Sequence, residues 1–460
     1  MSSAGISFGG LASGLDTKAI ISALVAVEER PIKALQTKKG SLNKQKSLYG
    51  DLRTLLDKLS TAAKALKTTQ DFLAMKAKSD DEDVLAATAS STASPGTYTA
   101  RVISLAKAQI NPSSGSASKT ADLGRAASFM IDVGGNTHLI SVDDPSLENI
   151  AAAINDADDL NDIGVRAEVV DTGNTAQGGA NRYQLVVRST KPGVEGNFDL
   201  TFDDGDAAFE SVINDLQDSA RRGTDAVLEI NGGVRIQRSS NTISDLWTGI
   251  TLDLKSVPDP NKDITITVST DGEATSKKVQ EYVDAYNKVV DFFTEQSALD
   301  AEGKAKGPLF GDQTLRSMRS TLRTTVGAAV SGTGNAAFQM LAQVGVTSDT
   351  AGKLTFNRTK FEEALAEDED AVAKIFTDPA KGVASTLIDK IDLYTDSVDG
   401  LIKSRSDTFD RQVKQTQSRI DNAERRLTIY QKQLEAKYAS LENLLGKLQS
   451  QGSAVSNINR

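Results

Sequence analysis

The sequence predicts a multidomain α+β protein: long terminal coiled-coil helices and a helical-bundle leg with a β-hairpin, carrying a β-rich head of two domains. Three observations carry that expectation. Apolar residues recur every seven positions near both ends of the chain. Short alternating runs set among Gly, Asp, Thr and Ser fill residues 79–273. The 460 residues are too many for one ordinary core.

The first helix is expected over Thr17 to Glu29, with Asp16 placed to accept bonds from the free N–H groups of its first turn. Ile20, Ile21, Leu24 and Val27 form its apolar face. Pro31 disfavours helical geometry at Arg30 and suits the first turn of a second helix, expected over residues 31–68. In that helix Leu35, Leu42, Tyr49, Leu56 and Ala63 are spaced by seven, and Leu52, Leu59 and Leu66 follow three positions on. Lys38 and Gln45 weaken the first half of the second series. A lone helix with such a seam needs partner helices.

The partner is expected at the other end. Val413, Ile420, Leu427, Leu434, Leu441 and Leu448 repeat every seven residues without a miss. Ala423, Tyr430 and Leu444 fill alternate positions, from which Thr416 and Lys437 depart. No Gly or Pro lies between Leu401 and Leu445, which predicts a helix of roughly 45 residues, about 65 Å long. A single long helix in a compact bundle fits less well, because six consecutive heptads outlast a globular domain. Polar residues Gln451 to Arg460 are expected to fray. The expected assembly contacts are therefore Leu35, Leu42, Tyr49, Leu52, Leu56, Leu59, Val413, Ile420, Leu427, Leu434, Leu441 and Leu448.

Between these ends Tyr98–Ile103, Arg182–Arg188, Val227–Ile230 and Ile264–Val268 read as strands. Asn231-Gly232 and Asp271-Gly272 are turn signals, the first for a hairpin. One helix interrupts, from Ser146 to about Asn155, with Leu147, Ile150, Ala151 and Ile154 on one face. Helices resume after Ser276: Val279, Val283, Tyr286, Val290 and Phe293 share a face, and Leu315, Met318, Leu322 and Val326 share another. A hairpin is expected near residues 341–357, then a helix marked by Phe361, Leu365, Val372, Ile375 and Phe376. Val383, Leu387, Ile391, Tyr394 and Leu401 lead to the terminal coil. The expected division is a terminal coiled-coil or disordered stalk (1–35 and 430–460), a helical leg (36–78 and 274–429), an inner β domain (79–122 and 222–273) and an outer domain (123–221). In this layout the chain leaves along a stalk, builds a head and returns, so that its termini meet.

Composition narrows the function. Zero Cys excludes disulfides, Cys-ligated metals and thiol nucleophiles. A single histidine leaves a Ser-His-Asp triad one candidate base, His138, which reads as an exposed strand residue. Gly9-Gly10 with Gly14 has neither the preceding strand nor the following Lys of a phosphate loop. Asp259-Pro-Asn-Lys-Asp263 starts like a calcium loop, but Ile264 and Thr270 stand where Gly and Glu are required. Asp203–Asp206 and Glu367–Asp370 read as solvated charge runs, and Trp247 as a packing residue. No catalytic constellation, cofactor or metal is expected. The longest apolar run, Ala19 to Val27, is too short for a membrane span of about 20 residues. The amino terminus lacks the basic start of a secretory signal.

Phe8-Gly-Gly-Leu-Ala-Ser-Gly-Leu-Asp-Thr17, with Ile20-Ile21 and Glu29-Arg-Pro31, resembles the amino-terminal signature of the flagellar filament-capping, or hook-associated protein 2, family. Leu147–Asn155 with Gly164-Val165 and Tyr183–Val187 is similar to the repeat of flagellin-related outer domains. Ser240–Asp245, Gly249–Leu252, Phe310-Gly-Asp312, Val344-Gly345, Gly352–Leu354 and Ile375-Phe376 resemble the family's carboxy-terminal region, in order. The resemblance implies a structural assembly factor that caps the distal end of the bacterial flagellar filament and promotes insertion of exported flagellin. It implies a homo-oligomeric ring, commonly a pentamer, and passage through the flagellar type III export apparatus. It further implies an export chaperone on the carboxy-terminal coil. The alternative is a surface adhesin whose β-rich head binds a host ligand. Neither nucleic acid nor membrane is an expected partner.

The net charge of −10 is an average of opposites. Residues 17–78 carry +8 and residues 401–450 carry +4, whereas residues 79–400 carry −22. Basic coiled-coil ends meeting a partner assembly, and an acidic solvated middle, are the expectation.

Overall fold

The computed structural model describes residues 16–174, 181–257 and 262–458. The chain divides into two compact units, one of residues 1–72 with 273–460 and one of residues 73–272.

In the helical unit, α1 runs unbroken from Thr17 to Lys64, and Pro31 lies inside it. The break expected at Arg30 is absent. The fixed φ of proline is itself helical, and the bond lost is the one to the Val27 carbonyl. Val27 is 53% exposed, so water reaches this stretch of backbone. Asp16 caps the helix as expected, accepting from the Ala19 N–H at 2.9 Å. A short α2, Thr69–Phe72, follows, so the helix expected to residue 68 ends four residues earlier.

The return half of this unit holds α5 (Gly272–Gln296), α6 (Gln313–Gly327), β15 (Val346–Ser348), β16 (Leu354–Phe356), α7 (Arg358–Glu367), α8 (Glu369–Thr377), α9 (Val383–Thr395) and α10 (Leu401–Ile458). Strands β15 and β16 pair as the expected hairpin. Asp271-Gly272 is a strand-to-helix junction: the Asp271 N–H donates to the Ala74 carbonyl and Gly272 opens α5. The single helix expected around Phe361–Phe376 is two. Asp368 ends α7 and caps α8, accepting from the Ala371 N–H at 3.0 Å. Phe72 stacks on Phe376 with ring centroids 4.9 Å apart, which docks α2 against α8. α10 spans 58 residues, longer than the 45 expected, and the fraying expected from Gln451 is absent through Ile458.

The β-rich unit contains β1 (Met75–Ser79), β2 (Leu85–Ala89), β3 (Gly96–Ser104), β4 (Ile110–Pro112), β5 (Ala127–Val133), β6 (Asn136–Val142), α3 (Leu147–Asn161), β7 (Val165–Asp171), β8 (Tyr183–Ser189), β9 (Phe198–Asp204), α4 (Ala207–Asp215), β10 (Ala226–Ile230), β11 (Val234–Arg238), β12 (Thr242–Trp247), β13 (Ile250–Leu254) and β14 (Ile264–Thr270). Two apolar clusters organise it. A five-stranded antiparallel sheet, β1-β14-β3-β10-β11, and the sheet β12-β13-β2 bury Leu85, Val102, Leu228, Leu252 and Ile266 together. The sheets β4-β8-β7 and β6-β5-β9 enclose Phe129, Ile150, Leu185 and Phe209 with α3 and α4.

Asn231-Gly232 does turn the β10–β11 hairpin, with both residues at positive φ. Ser146 caps α3, accepting from the Asn149 N–H at 3.2 Å. α3 continues six residues past its expected end, because Asp158 turns inward. Its carboxylate meets the Arg166 guanidinium at 2.6 Å and accepts from the Gly164 N–H at 2.7 Å. α4 is an unexpected second helix; its apolar Phe209, Val212 and Ile213 follow directly on the acidic run Asp203–Asp206.

Candidate assembly surface

The heptad series of α1 and α10 meet within the helical unit. Contacts fall in descending register: Lys39 with Gln417, Lys46 with Asp410, Tyr49 with Phe409. The two helices therefore run antiparallel. Lys46 Nζ lies 2.6 Å from Asp410 Oδ1, and the Tyr49 and Phe409 ring centroids are 5.8 Å apart.

The structure brings only part of the expected contact set together. Leu42, Tyr49, Leu52, Leu56, Leu59 and Ile420 are buried. Leu35, Val413, Leu427 and Leu434 are half-buried. Leu441 and Leu448 are 40% and 54% exposed, and Leu444 beside them is 55% exposed. The seam is thus filled along the middle of α1 and empties toward the carboxy-terminal end of α10. Thr416, the polar departure from the series, is buried all the same. Its hydroxyl donates to the Gln412 carbonyl at 2.8 Å, so that hydroxyl is not orphaned.

Sequence periodicity missed the polar clamp beside this seam. Arg405, on the first turns of α10, lies over the rings of Tyr49 and Phe409 at 5.9 and 5.5 Å. Its Nη2 donates to Asp312 Oδ2 at 2.5 Å. Asp312 in turn caps α6 through the Thr314 and Leu315 N–H groups. Burial pushes the Asp312 carboxyl up. The bonds from Arg405 and the Leu315 backbone outweigh this and hold it below the ordinary carboxylate range. Burial raises the Tyr49 phenol to about 12. One carboxylate thus joins α6, α10 and the aromatic pair. The only sequence signal was a capping Asp before an apolar helix.

The other candidates fall into place individually. His138 lies opposite Ile131 in the β5–β6 hairpin and is half-buried. Trp247 packs on Tyr98 with centroids 4.8 Å apart. Among the described residues no cluster of His, Asp and Glu is placed to hold a metal ion. Among them no helix is long and apolar enough to cross a membrane. The Gly9-Gly10-Gly14 and Phe8–Leu15 motifs lie outside the described residues, as does most of the Asp259–Asp263 segment.

A long antiparallel helix pair with an unfilled seam, joined in sequence to a β-rich unit, defines a structural assembly protein. Comparison with known proteins gives the family. The model of the flagellar hook-associated protein 2 amino terminus matches residues 13–109 and that of its carboxy terminus matches residues 223–450. Flagellar hook-associated protein 2 of Escherichia coli K12 is 29% identical over 473 residues, covering 98% of this chain and 97% of that protein. The B-type protein of Pseudomonas aeruginosa is 29% identical over 421 residues, covering 87% and 85%. The crystal structure of domains D1 to D3 of the Escherichia coli flagellar cap protein superposes with a TM-score of 0.62 at 28% identity, covering 79% of this chain and 99% of that one. The chain belongs to the flagellar hook-associated protein 2 family. Its place is the distal tip of the extracellular flagellar filament. These findings support capping and give the adhesin reading no support.

Proposed function

We propose that this chain caps the growing filament as a ring of copies, commonly five, which holds exported flagellin and admits it one subunit at a time. It would reach the tip through the flagellar type III export apparatus, escorted by a chaperone on α10. Residues 36–78 with 274–429 act as the filament-facing domain, and 1–35 with 430–460 as the terminal stalk. Residues 79–122 with 222–273, and 123–221, form the inner and outer domains. The observation that carries this reading is the seam. Leu441, Leu444 and Leu448 continue the apolar series of α10 but remain exposed in the single chain. A heptad face left open in water is stabilised by neighbouring helices. Work by assembly needs no active site.

The test is Leu441→Asp combined with Leu448→Asp. Both positions are exposed, so the monomer keeps its helix content by circular dichroism. Cells carrying the variant are expected to lose filaments, seen by electron microscopy. Normal filaments would count against the seam as the assembly surface.

A further inference from the structure

We propose that the groove between α1 and α10 around Leu35 and Ile429 is a docking site for an acidic amphipathic helix. The groove encloses about 1020 Å³. Its α10 wall covers residues 419–429, roughly 15 Å, or about three helical turns. Its floor is apolar: Ala34 and Leu35 come from α1, and Ile429 from α10. Ile429 is 57% exposed, a large apolar side chain left in water.

The rim is basic. Lys38 stands on α1, and Arg419, Arg425 and Arg426 stand on α10. None of these four meets a carboxylate within ion-pairing distance among the described residues; Arg425 donates only to the Asn422 side chain. Two of the nearby acidic groups are engaged elsewhere. Glu29 pairs with Lys33 at 2.9 Å, and Asp421 accepts from Gln417 at 2.6 Å. In the β-rich unit, by contrast, Arg101, Arg166 and Arg182 each hold an aspartate. Four unpaired cations around one groove repel one another, and a ligand carrying carboxylates removes that cost.

The shape selects a helix rather than a loose anion. Arg419, Asn422, Arg426 and Ile429 follow i, i+3, i+7, i+10 spacing along α10, and Pro31, Leu35 and Lys38 follow i, i+4, i+7 spacing along α1, so each set lies on one helix face. Two parallel side-chain stripes with an apolar trough between them form the groove into which a third helix packs. The complementary helix places Leu or Ile in the trough and Glu or Asp against both rims. This deepens the assembly reading and rests on it only in treating the α1–α10 pair as an interaction surface.

The full-length chain is titrated against a fluorescein-labelled peptide of about 20 residues, leucine on one face and glutamate on both flanks, long enough to fold when bound. A control peptide carries lysine in place of each glutamate. The wild-type chain is expected to bind the glutamate peptide at least about tenfold more tightly than the lysine peptide, with affinity falling as salt rises. Arg419→Glu with Arg426→Glu is expected to reverse the preference. Ile429→Ser, which keeps the rim charge, weakens the glutamate peptide several-fold. Equal binding of the two peptides, or an unchanged preference in the double variant, overturns the proposal. So does self-association of the wild-type chain that the double variant abolishes while neither peptide binds, since a second copy then fills the groove. Filament loss in the Leu441 and Leu448 variants is read separately, so either idea can fail alone.

Discussion

Asp312 holds two elements at once, the start of α6 and the Arg405 guanidinium on α10. Its folded-state carboxyl lies below the ordinary range, so its ionised form favours the folded state. That stabilisation is present above the unfolded carboxyl value of about 4 and is lost as pH falls through the lower folded value. Asp312→Asn is expected to cost about 2 kcal/mol at neutral pH, since it replaces a charged hydrogen bond with a neutral one. It should also flatten the loss of stability between neutral and acidic pH, followed by denaturant melts at each pH. An acid limb as steep as that of the wild type would contradict the assignment. Gly249 makes a backbone argument. It has φ +75°, and a Cβ there would lie 2.6 Å from the Ala93 amide nitrogen. Gly249→Ala is therefore expected to destabilise the β-rich unit by about 1–3 kcal/mol, read from its denaturation midpoint. Residues of these two kinds were differently legible. The buried leucines follow from periodicity. The Arg405–Asp312 pair joins positions 93 residues apart, and no local pattern encodes such a pairing.

At the scale of elements, the long helices were the most legible part of the fold and their ends the least. Heptad spacing located both helices, but Pro31 was read as a boundary when the helix bridges it. Local proline preference yields here because the fixed φ of proline is itself helical and a single backbone bond is lost. The short strands β2, β4 and β9 gave weak signals, because their pairing partners are distant in sequence, whereas β12 and β13 pair as neighbours across a register shift that blurs their alternation. Two substitutions probe the elements. Pro31→Ala restores an N–H donor inside α1 and is expected to raise the stability of the helical unit by up to about 3 kcal/mol. An unchanged melting midpoint would show that the lost bond is already replaced. Leu434→Pro breaks α10 within its seam and should abolish assembly. Trp247, the only tryptophan, lies in the β-rich unit and reports on that unit alone. Its fluorescence transition should stay where it is in the wild type while the helical circular dichroism signal falls. A shift of the tryptophan transition would show that the β-rich unit depends on α10.

At the scale of the whole molecule, charge is segregated along the sequence: residues 17–78 carry +8 and residues 79–400 carry −22. Acidic surfaces brought together in a ring repel, and salt screens that repulsion over about 10 Å at 0.1 M. Ring formation by the purified chain is therefore expected to strengthen as salt rises from low values, measured by sedimentation velocity. Weakening with salt would show that attraction between basic and acidic regions dominates. The candidate surface was half legible from sequence. The periodic residues marked the seam, but which of them stay exposed depends on how far α1 runs alongside α10, and that only the folded chain reveals.

The central claim is that this chain caps the filament. It is tested most directly by electron microscopy of cells from which its gene has been deleted, with and without the gene restored. The account predicts no full-length filaments in the deletion, flagellin lost to the medium, and recovery on restoration. Full-length filaments in the deleted cells would contradict it.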